Sequence, residues 1–356
     1  VAPAALGLLA PISATASEVN LKDISNYSDV ESIDLANSFD NNDSNNTLLA
    51  GGEGLVESSS YDGSFSETTT ASFSVDGYLG STDDDDDTVD DAVAAGYSFQ
   101  IDLNTSFTGE DSLDISLDAG TGGTEGIAEF DGNGGGNGLT VDGVAYTFPI
   151  GDKTTAFVGA DSDGSSLFTT ACVYGGPGNL LDDCANVNAG ITGGTTAMGA
   201  SYDFGSGFTA AFGAQTGNAS VFTEESTDSY AVNAAYTADS YAISLTYGVV
   251  EAVDANDDLT DEENKFTAVN AYDTPESEGL PSISVGYEFG DLGGAAAAAD
   301  EQASFMVGLT WAEVGPGSAG VAVGHSNTVE NADELYKYEA YYDYPVNDSM
   351  VITPLI

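Results

Sequence analysis

Residues 229–249 carry the pattern that most restricts the fold, because every second side chain is large and apolar or aromatic over two successive stretches. In the first stretch Tyr230 and Val232 alternate with small or polar residues such as Asn233, and residues 241–249 repeat the alternation after a turn. A period of two predicts β-strands whose two faces meet different surroundings. The two stretches together predict a hairpin.

Tyrosine stands at or near both ends of each stretch, where its amphipathic ring suits a boundary between membrane and water. Each stretch is about ten residues long, the length of a tilted strand that crosses a bilayer. The pattern returns at about fifteen places from residue 65 onward. The sequence therefore predicts an all-β fold, a transmembrane antiparallel β-barrel.

Short and long connections alternate between the predicted strands. Residues 237–240 form a short one, whereas residues 81–95 and 161–196 form long ones. Outer-membrane barrels have short periplasmic turns and long outer loops, and a soluble β-sandwich has no reason to keep this order. An even strand number with both termini in the periplasm predicts 16 strands, of which about 15 lie in this sequence and the last is missing.

The chain divides into three predicted parts. Residues 1–16 are typical of the end of a secretory signal peptide, with a short apolar run and the small-x-small triplet that ends at Ala16. Residues 17–64 are polar and predict a periplasmic N-terminal segment, and residues 65–356 predict the barrel. Because export favours disulfides, Cys172 and Cys184 are expected to pair.

The charge of the chain is strongly negative, with 59 Asp and Glu residues against 4 Lys and Arg residues and a net charge of −55. Such a chain is not expected to bind nucleic acid, whose phosphates need cations. Charged side chains that face lipid would cost about 2–4 kcal/mol each at the bilayer midplane. The charged positions of the strands are therefore predicted to face the lumen; they are Asp102, Asp114, Asp118, Glu288, Lys337, Glu339 and Asp343.

Several segments resemble the outer-membrane porins of cyanobacteria (the Som-type family, related to carbohydrate-selective porins), especially the short forms of marine picocyanobacteria. The resemblance is clearest in FSETTTASFSVDGYLG, TSFTGEDSLDISLDAG and TTACVYGGPGNLLDDC. It implies a homotrimeric channel of sixteen strands for ions and small solutes, carbohydrates among them. The implied surroundings are outer-membrane lipid and lipopolysaccharide.

The third long loop holds both cysteines and is the candidate pore constriction. In many sixteen-strand porins this loop folds inward, so Cys172 and Cys184 are predicted to stiffen it while Asp182 and Asp183 line the narrowest section. The alternative is a crosslinked external loop that lies away from the pore.

A run of aspartates forms the densest charge cluster and is the one candidate metal site, for loosely bound Ca²⁺ or Mg²⁺. A solvated loop with diffuse counterions is the interpretation we favour. No other cofactor is expected, and the lone His325 leaves no catalytic triad, so the chain is not predicted to be an enzyme. The run consists of Asp83, Asp84, Asp85, Asp86 and Asp87.

These observations predict an outer-membrane porin, a passive aqueous channel for ions and small polar solutes. The absence of arginine and the acids expected in the lumen predict a preference for cations. The alternative is a secreted, acidic, calcium-binding adhesin or surface-layer protein built from soluble β-sandwiches.

Overall fold

Fifteen β-strands make up the regular structure of the residues that the structure describes. The computed structural model describes residues 69–81, 93–121, 132–133, 136–178, 181–218, 227–253, 259–277, 279–293 and 299–356. No helix in these ranges is long and apolar enough to cross a membrane. The strands are β1 (Thr69–Gly80), β2 (Ala94–Thr105), β3 (Ser112–Gly120), β4 (Gly136–Ile150), β5 (Thr154–Ala160), β6 (Thr196–Gly205), β7 (Phe208–Thr216), β8 (Asp228–Thr237), β9 (Tyr241–Val253), β10 (Leu259–Asp273), β11 (Ser282–Asp291), β12 (Glu301–Val314), β13 (Gly317–Val329), β14 (Lys337–Asn347) and β15 (Met350–Ile352).

All fifteen strands belong to one antiparallel sheet, and each strand pairs with its neighbours in sequence. This confirms the predicted all-β class, the antiparallel order and the number of strands in the chain. No pairing joins β1 to β15 in the part of the chain that the structure describes. Asp76 of β1 and Thr353, just after β15, nevertheless line the same cavity, so the sheet curves until its two ends come near each other. The sixteenth strand stays a prediction.

The two faces of the sheet differ in the way that the period of two requires. Val232 is 49% exposed and Asn233 is 3% exposed, and the next strand repeats the contrast with Ile243 exposed and Ser244 buried. The register keeps these faces continuous, since Asn233 lies opposite Thr246 across the β8–β9 pair. The outer face is therefore apolar and the inner face is small or polar, the reverse of a soluble protein.

Every second connection, beginning with β2–β3, is a turn of two to eight residues, and the connections between these turns range from five residues (β9–β10) to 35 residues (β5–β6). The β2–β3 turn shows how such a turn is fixed. The carboxylate of Asp111 accepts hydrogen bonds from the Tyr146 hydroxyl at 2.7 Å and from the backbone N–H groups of Phe107 at 2.9 Å and Thr108 at 2.7 Å. These donors, with Tyr146 the strongest, hold the pKa of Asp111 well below its usual range.

Two strands begin earlier than the sequence predicts. Strand β4 was expected from residue 143, with the glycine-rich residues 132–138 in a loop, but it begins at Gly136, which lies opposite Gly120 of β3. Strand β10 was expected from residue 266 and begins at Leu259. Both predictions were wrong because the described side chains of these two extensions are mostly exposed on both faces of the sheet. The alternation that marks a strand is then lost while the backbone pairing continues.

The longest connection joins β5 to β6, and we call residues 161–195 the inner loop. Its base continues the strand pairing, because the N–H of Asp161 donates to the carbonyl of Thr195 at 2.9 Å. The aspartate run Asp83–Asp87, the predicted signal peptide and the predicted N-terminal segment all lie outside the described residues.

Candidate functional site

The inner loop lies against the inner face of the sheet, held by its own backbone. Its N–H groups donate to uncharged side chains that project from four different strands, β7, β8, β9 and β11. One short segment of chain thus contacts a wide arc of the wall. The bonds are Gly164 to Gln215 at 2.8 Å, Thr169 to Asn233 at 3.0 Å, Ala171 to Ser244 at 2.9 Å, and Val173 and Tyr174 to Ser284, each at 3.0 Å.

Glu288 of β11 accepts three hydrogen bonds from the inner loop. It is 1% exposed. Its carboxylate accepts the backbone N–H groups of Asn188 at 2.9 Å and Ala189 at 2.8 Å, and also the side-chain amide of Asn188 at 2.7 Å. A carboxylate away from water needs such donors, and hydrogen bonds to a charged group are the stronger kind.

Glu339 of β14 plays the same part at another place on the wall. It is 3% exposed and accepts the hydroxyl of Tyr174 at 2.6 Å and the backbone N–H of Gly178 at 3.1 Å. Burial and the neighbouring carboxylate of Glu339 raise the pKa of Tyr174 well above its usual value, so this hydroxyl stays protonated and donates. Both glutamates lie on the face that the inner loop covers.

Two glycines make room for the loop backbone. A Cβ atom on Gly213 of β7 would collide with the carbonyl oxygen of Gly164, and one on Gly286 of β11 would collide with the carbonyl oxygen of Cys184. That same oxygen of Cys184 accepts a hydrogen bond from the Asn270 amide at 2.7 Å. The wall is therefore shaped for the loop as well as bonded to it.

A disulfide and a small apolar cluster hold the middle of the loop together. Cys172 and Cys184 are bonded, as predicted, with their Cα atoms 6.4 Å apart. Beside the disulfide, Tyr174 packs edge-on against Tyr341 of β14 with ring centroids 6.1 Å apart. Leu181 joins the same cluster and is almost fully buried. The loop and the inner face of β12–β14 thus share a small apolar core.

Asp182 and Asp183, the acids predicted at the constriction, are both exposed on the inner loop. The Oδ1 atom of Asp183 accepts the N–H of Ala185 at 3.0 Å. Loss of hydration among the surrounding protein atoms raises the pKa of Asp183 to about 6, and the charges of Asp182 and Glu288 act in the same direction. Cys184 and Ala185 follow with positive φ angles of 54° and 57°, so the backbone reverses here.

The other predicted lumen positions lie on the same inner face. Asp102 is opposite Ser116 and Asp114 is opposite Asn104, and through the register this face continues to Glu288. Lys337 and Asp343 share the face with Glu339 on β14. The structure thus brings all seven positions to one side of the sheet. Glu288 and Glu339 are buried under the inner loop, whereas Asp102, Asp114 and Asp118 lie on β2 and β3.

The inner faces of β2 and β3 carry three of the predicted carboxylates. Asp102 accepts hydrogen bonds from Gln100 at 2.8 Å and Ser116 at 2.9 Å, and Asp118 accepts one from Thr140 at 2.8 Å. All of these donors are uncharged. No described residue of the inner loop donates to this part of the wall.

The uncharged wall residues that bind the inner loop were not among the predicted site residues. Asn233, Ser244, Ser284 and Gln215 alternate with apolar neighbours, so their inward direction was readable. Nothing in a strand sequence shows which inward residues bind a distant loop, because that depends on where the loop lies. Asn270, fully buried, is the clearest signal in hindsight, since an amide at the centre of a strand needs a partner.

In the described ranges, no group of three or more His, Cys, Asp or Glu side chains is placed so that it could bind a metal ion. Two cavities are present on the inner side. The larger, about 830 Å³, lies between the two ends of the sheet and the inner loop. The smaller, about 410 Å³, lies at the base of the loop beside Asp142, Asp161 and Asp163.

No protein-family profile and no curated protein matches the chain. Solved structures do share its fold. OprB of Pseudomonas putida, solved at high pH, is 12% identical over 81% of this chain and 92% of that chain, with a TM-score of 0.53. A mutant of the Rh. blastica porin is 11% identical over 80% of this chain and 98% of that chain, with a TM-score of 0.48. The structural neighbours are bacterial outer-membrane porins, and at this identity the likeness to OprB establishes the fold.

Proposed function

We propose that the chain is an outer-membrane porin that forms a passive aqueous channel for inorganic ions and small polar solutes. The observation that carries the proposal is the docking of the inner loop on a polar inner face while the outer face is apolar. A loop inside a barrel narrows its lumen, and an apolar exterior suits hydrocarbon. The barrel fold shared with OprB agrees with this function.

The inner loop is proposed as the constriction of the channel. It is bonded to strands β7 to β11, β13 and β14, so we place the free passage between the loop and the walls of β1 to β4. Asp182 and Asp183 project from the loop, and Asp102, Asp114 and Asp118 lie on the wall beside it.

A preference for cations follows from the charges around this passage. The wall residues are carboxylates held by uncharged donors, and Lys337 is the one lysine on the inner face of the described strands. Field lines from fixed charges in a narrow passage raise the local concentration of counterions. Screening at high salt weakens the effect, so we expect preference rather than exclusion of anions.

The alternative, an acidic adhesin of β-sandwich type, gains no support from these features. A sandwich needs two sheets with bulky apolar side chains between them, whereas the large apolar side chains here are exposed. Calcium or magnesium bound loosely at Asp83–Asp87 stays a proposal, since these residues lie outside the described ranges.

The function is tested by recording currents through planar bilayers that contain the purified protein. In a gradient of KCl we expect stepwise conductance and a reversal potential of the sign given by K⁺ diffusion. The triple variant Asp102→Asn, Asp114→Asn, Asp118→Asn is expected to lower the K⁺/Cl⁻ permeability ratio several-fold. The control Glu301→Gln, on the outer face, should leave it unchanged. Absence of conductance would refute the channel, and an anionic reversal potential would refute the preference.

The proposed setting is the outer membrane, among lipid and lipopolysaccharide, and the proposed assembly is a homotrimer. The apolar outer face supports the first proposal, and the resemblance to cyanobacterial porins supports the second. Chemical crosslinking in native membranes followed by gel electrophoresis checks the assembly, with a band at three times the monomer mass expected.

A further inference from the structure

The larger cavity is the place on the inner face with the most distinctive chemistry. It has a volume of about 830 Å³. Residues from five parts of the chain line it, namely β1, the inner loop, the β12–β13 turn, β14 and the end of the chain. No single element forms the cavity; it lies between β1, the inner loop and the strands at the other end of the sheet. Its volume falls in the usual range of small-molecule sites, about 300–1,000 Å³.

Three carboxylates face the cavity from separate elements: Asp76 on β1, Glu313 on β12 and Asp343 on β14. Asp343 accepts hydrogen bonds from the hydroxyls of Ser318 at 3.1 Å and Thr353 at 2.6 Å. Both donors are uncharged. No described residue donates a hydrogen bond to Asp76, and no lysine, arginine or histidine is among the lining residues.

The rest of the lining consists of aromatic, apolar and glycine residues, apart from the hydroxyl residues Ser318 and Thr353. Tyr78 and Tyr341 contribute rings, and Pro177, Pro316 and Pro345 contribute apolar ring edges. The Tyr78 hydroxyl donates to Ser98 at 3.2 Å, which fixes the ring against the β1–β2 wall. Aromatic faces attract cations, and they do so best for cations that are weakly hydrated.

These features distinguish between kinds of cation. A small metal ion needs several oxygen ligands gathered around one point, and no such group exists among the described residues. The three carboxylates stand instead on separate elements around an apolar centre. A larger organic cation can place its charges near the carboxylates and its carbon atoms against the aromatic and apolar residues of the lining.

We propose that this cavity binds organic ammonium ions, with an aliphatic body against Tyr78 and Tyr341 and ammonium groups toward Asp76 and Asp343. Linear diamines and polyamines fit this description best, because their charges are separated by methylene groups. The consequence for transport rests on the proposed channel function, since such a solute would be retained in the lumen. Binding itself does not require that the channel conducts.

The test is isothermal titration calorimetry of the full chain in non-ionic detergent, with hexane-1,6-diamine as the probe. Hexane-1,6-diol has the same carbon body without charge, and Mg²⁺ has the charge without a carbon body. We expect saturable binding of the diamine, none of the diol, and little competition from Mg²⁺. Asp76→Asn should weaken binding about tenfold. The matched control Asp118→Asn, which removes one charge from the inner face outside the cavity, should change it less than about twofold.

A second pair of variants tests the aromatic contact. Tyr78→Leu should lower the affinity of the protein for the diamine, and Tyr78→Phe should leave this affinity unchanged. The proposed site would be overturned by any of three results. These are that Asp118→Asn and Asp76→Asn weaken diamine binding equally, that Mg²⁺ competes for the site as strongly as the diamine itself does, or that the titration gives no saturable heat. Bilayer recordings of the same variants keep the two proposals apart, because a protein that binds the diamine without conducting refutes the channel and not the site.

Discussion

At the scale of single residues, two buried glutamates decide where the inner loop lies. Glu288 and Glu339 accept backbone and side-chain donors from the loop, and hydrogen bonds to buried charges are costly to leave unmade. An acid in this position is useful because it accepts several donors at once, whereas an amide offers one oxygen. The acid therefore fixes a stretch of backbone that has no regular structure.

Replacement of Glu288 by Gln should release the end of the loop. Gln accepts through one oxygen, and its NH₂ group meets the N–H donors of Asn188 and Ala189, so the contact is expected to lose about 1–3 kcal/mol. Hydrogen exchange of residues 186–190, measured by mass spectrometry in detergent, should accelerate, and single-channel current noise should increase. Glu301→Gln, an exposed outer-face control, should change neither. Unchanged protection in the Glu288 variant would contradict the assignment.

We expect Asp183 to give the proposed channel a dependence on pH. Its pKa, raised to about 6 by lost hydration and by the charges of Asp182 and Glu288, lies above the usual value of 3.8. Ionised Asp183 is therefore disfavoured in the folded protein; this cost is fully present above pH 6 and declines as the pH falls from about 6 towards 3.8. The loop then carries one negative charge fewer, so the K⁺/Cl⁻ permeability ratio should fall between pH 7 and pH 5. In Asp183→Asn that step should be missing; an identical step in the variant would contradict the account.

At the scale of elements, the inner loop and the wall fit each other through glycine. Gly286 has no room for a Cβ beside the carbonyl of Cys184. Gly286→Val should therefore force the loop from the wall or strain β11, at a cost of about 1–3 kcal/mol as in other overpacked sites. A lower thermal midpoint in detergent, by circular dichroism, is the expected result.

Gly138 of β4 is the matched control for Gly286, because a Cβ there would meet nothing within 4 Å. Gly138→Val adds the same side chain to a strand with open space around it. Its thermal midpoint should stay close to that of the parent protein. Equal destabilisation by the two substitutions would show that valine acts through the strand backbone and not through the loop.

The elements also show how far the sequence reaches. The period of two was enough to predict the strands, their number among the described residues and the division of each strand into two different faces. It failed at Gly136 and Leu259, where the strands continue with mostly exposed side chains on both faces. It also could not show that Glu288 would be covered while Asp102 stays beside open space, because burial there depends on a loop about a hundred residues away.

At the scale of the whole molecule, a net charge of −55 repels itself in the folded state. The Debye length shortens from about 10 Å in 0.1 M salt to about 3 Å in 1 M salt. The thermal midpoint in detergent should therefore rise with NaCl over this range. Addition of sucrose to equal osmolality serves as the uncharged comparison. A midpoint that falls, or one that rises no more than in sucrose, would contradict a dominant role for repulsion.

The most direct test of the account is the environment of consecutive residues on one strand. Nitroxide labels are placed one at a time at residues 99–104 of β2, which is practical because both native cysteines are paired. In lipid vesicles, collisions with oxygen should peak at Phe99, Ile101 and Leu103, and collisions with a water-soluble nickel complex should peak at the positions between them. If the two profiles instead rise and fall together along β2, one side of this sheet does not face lipid and the barrel interpretation is wrong.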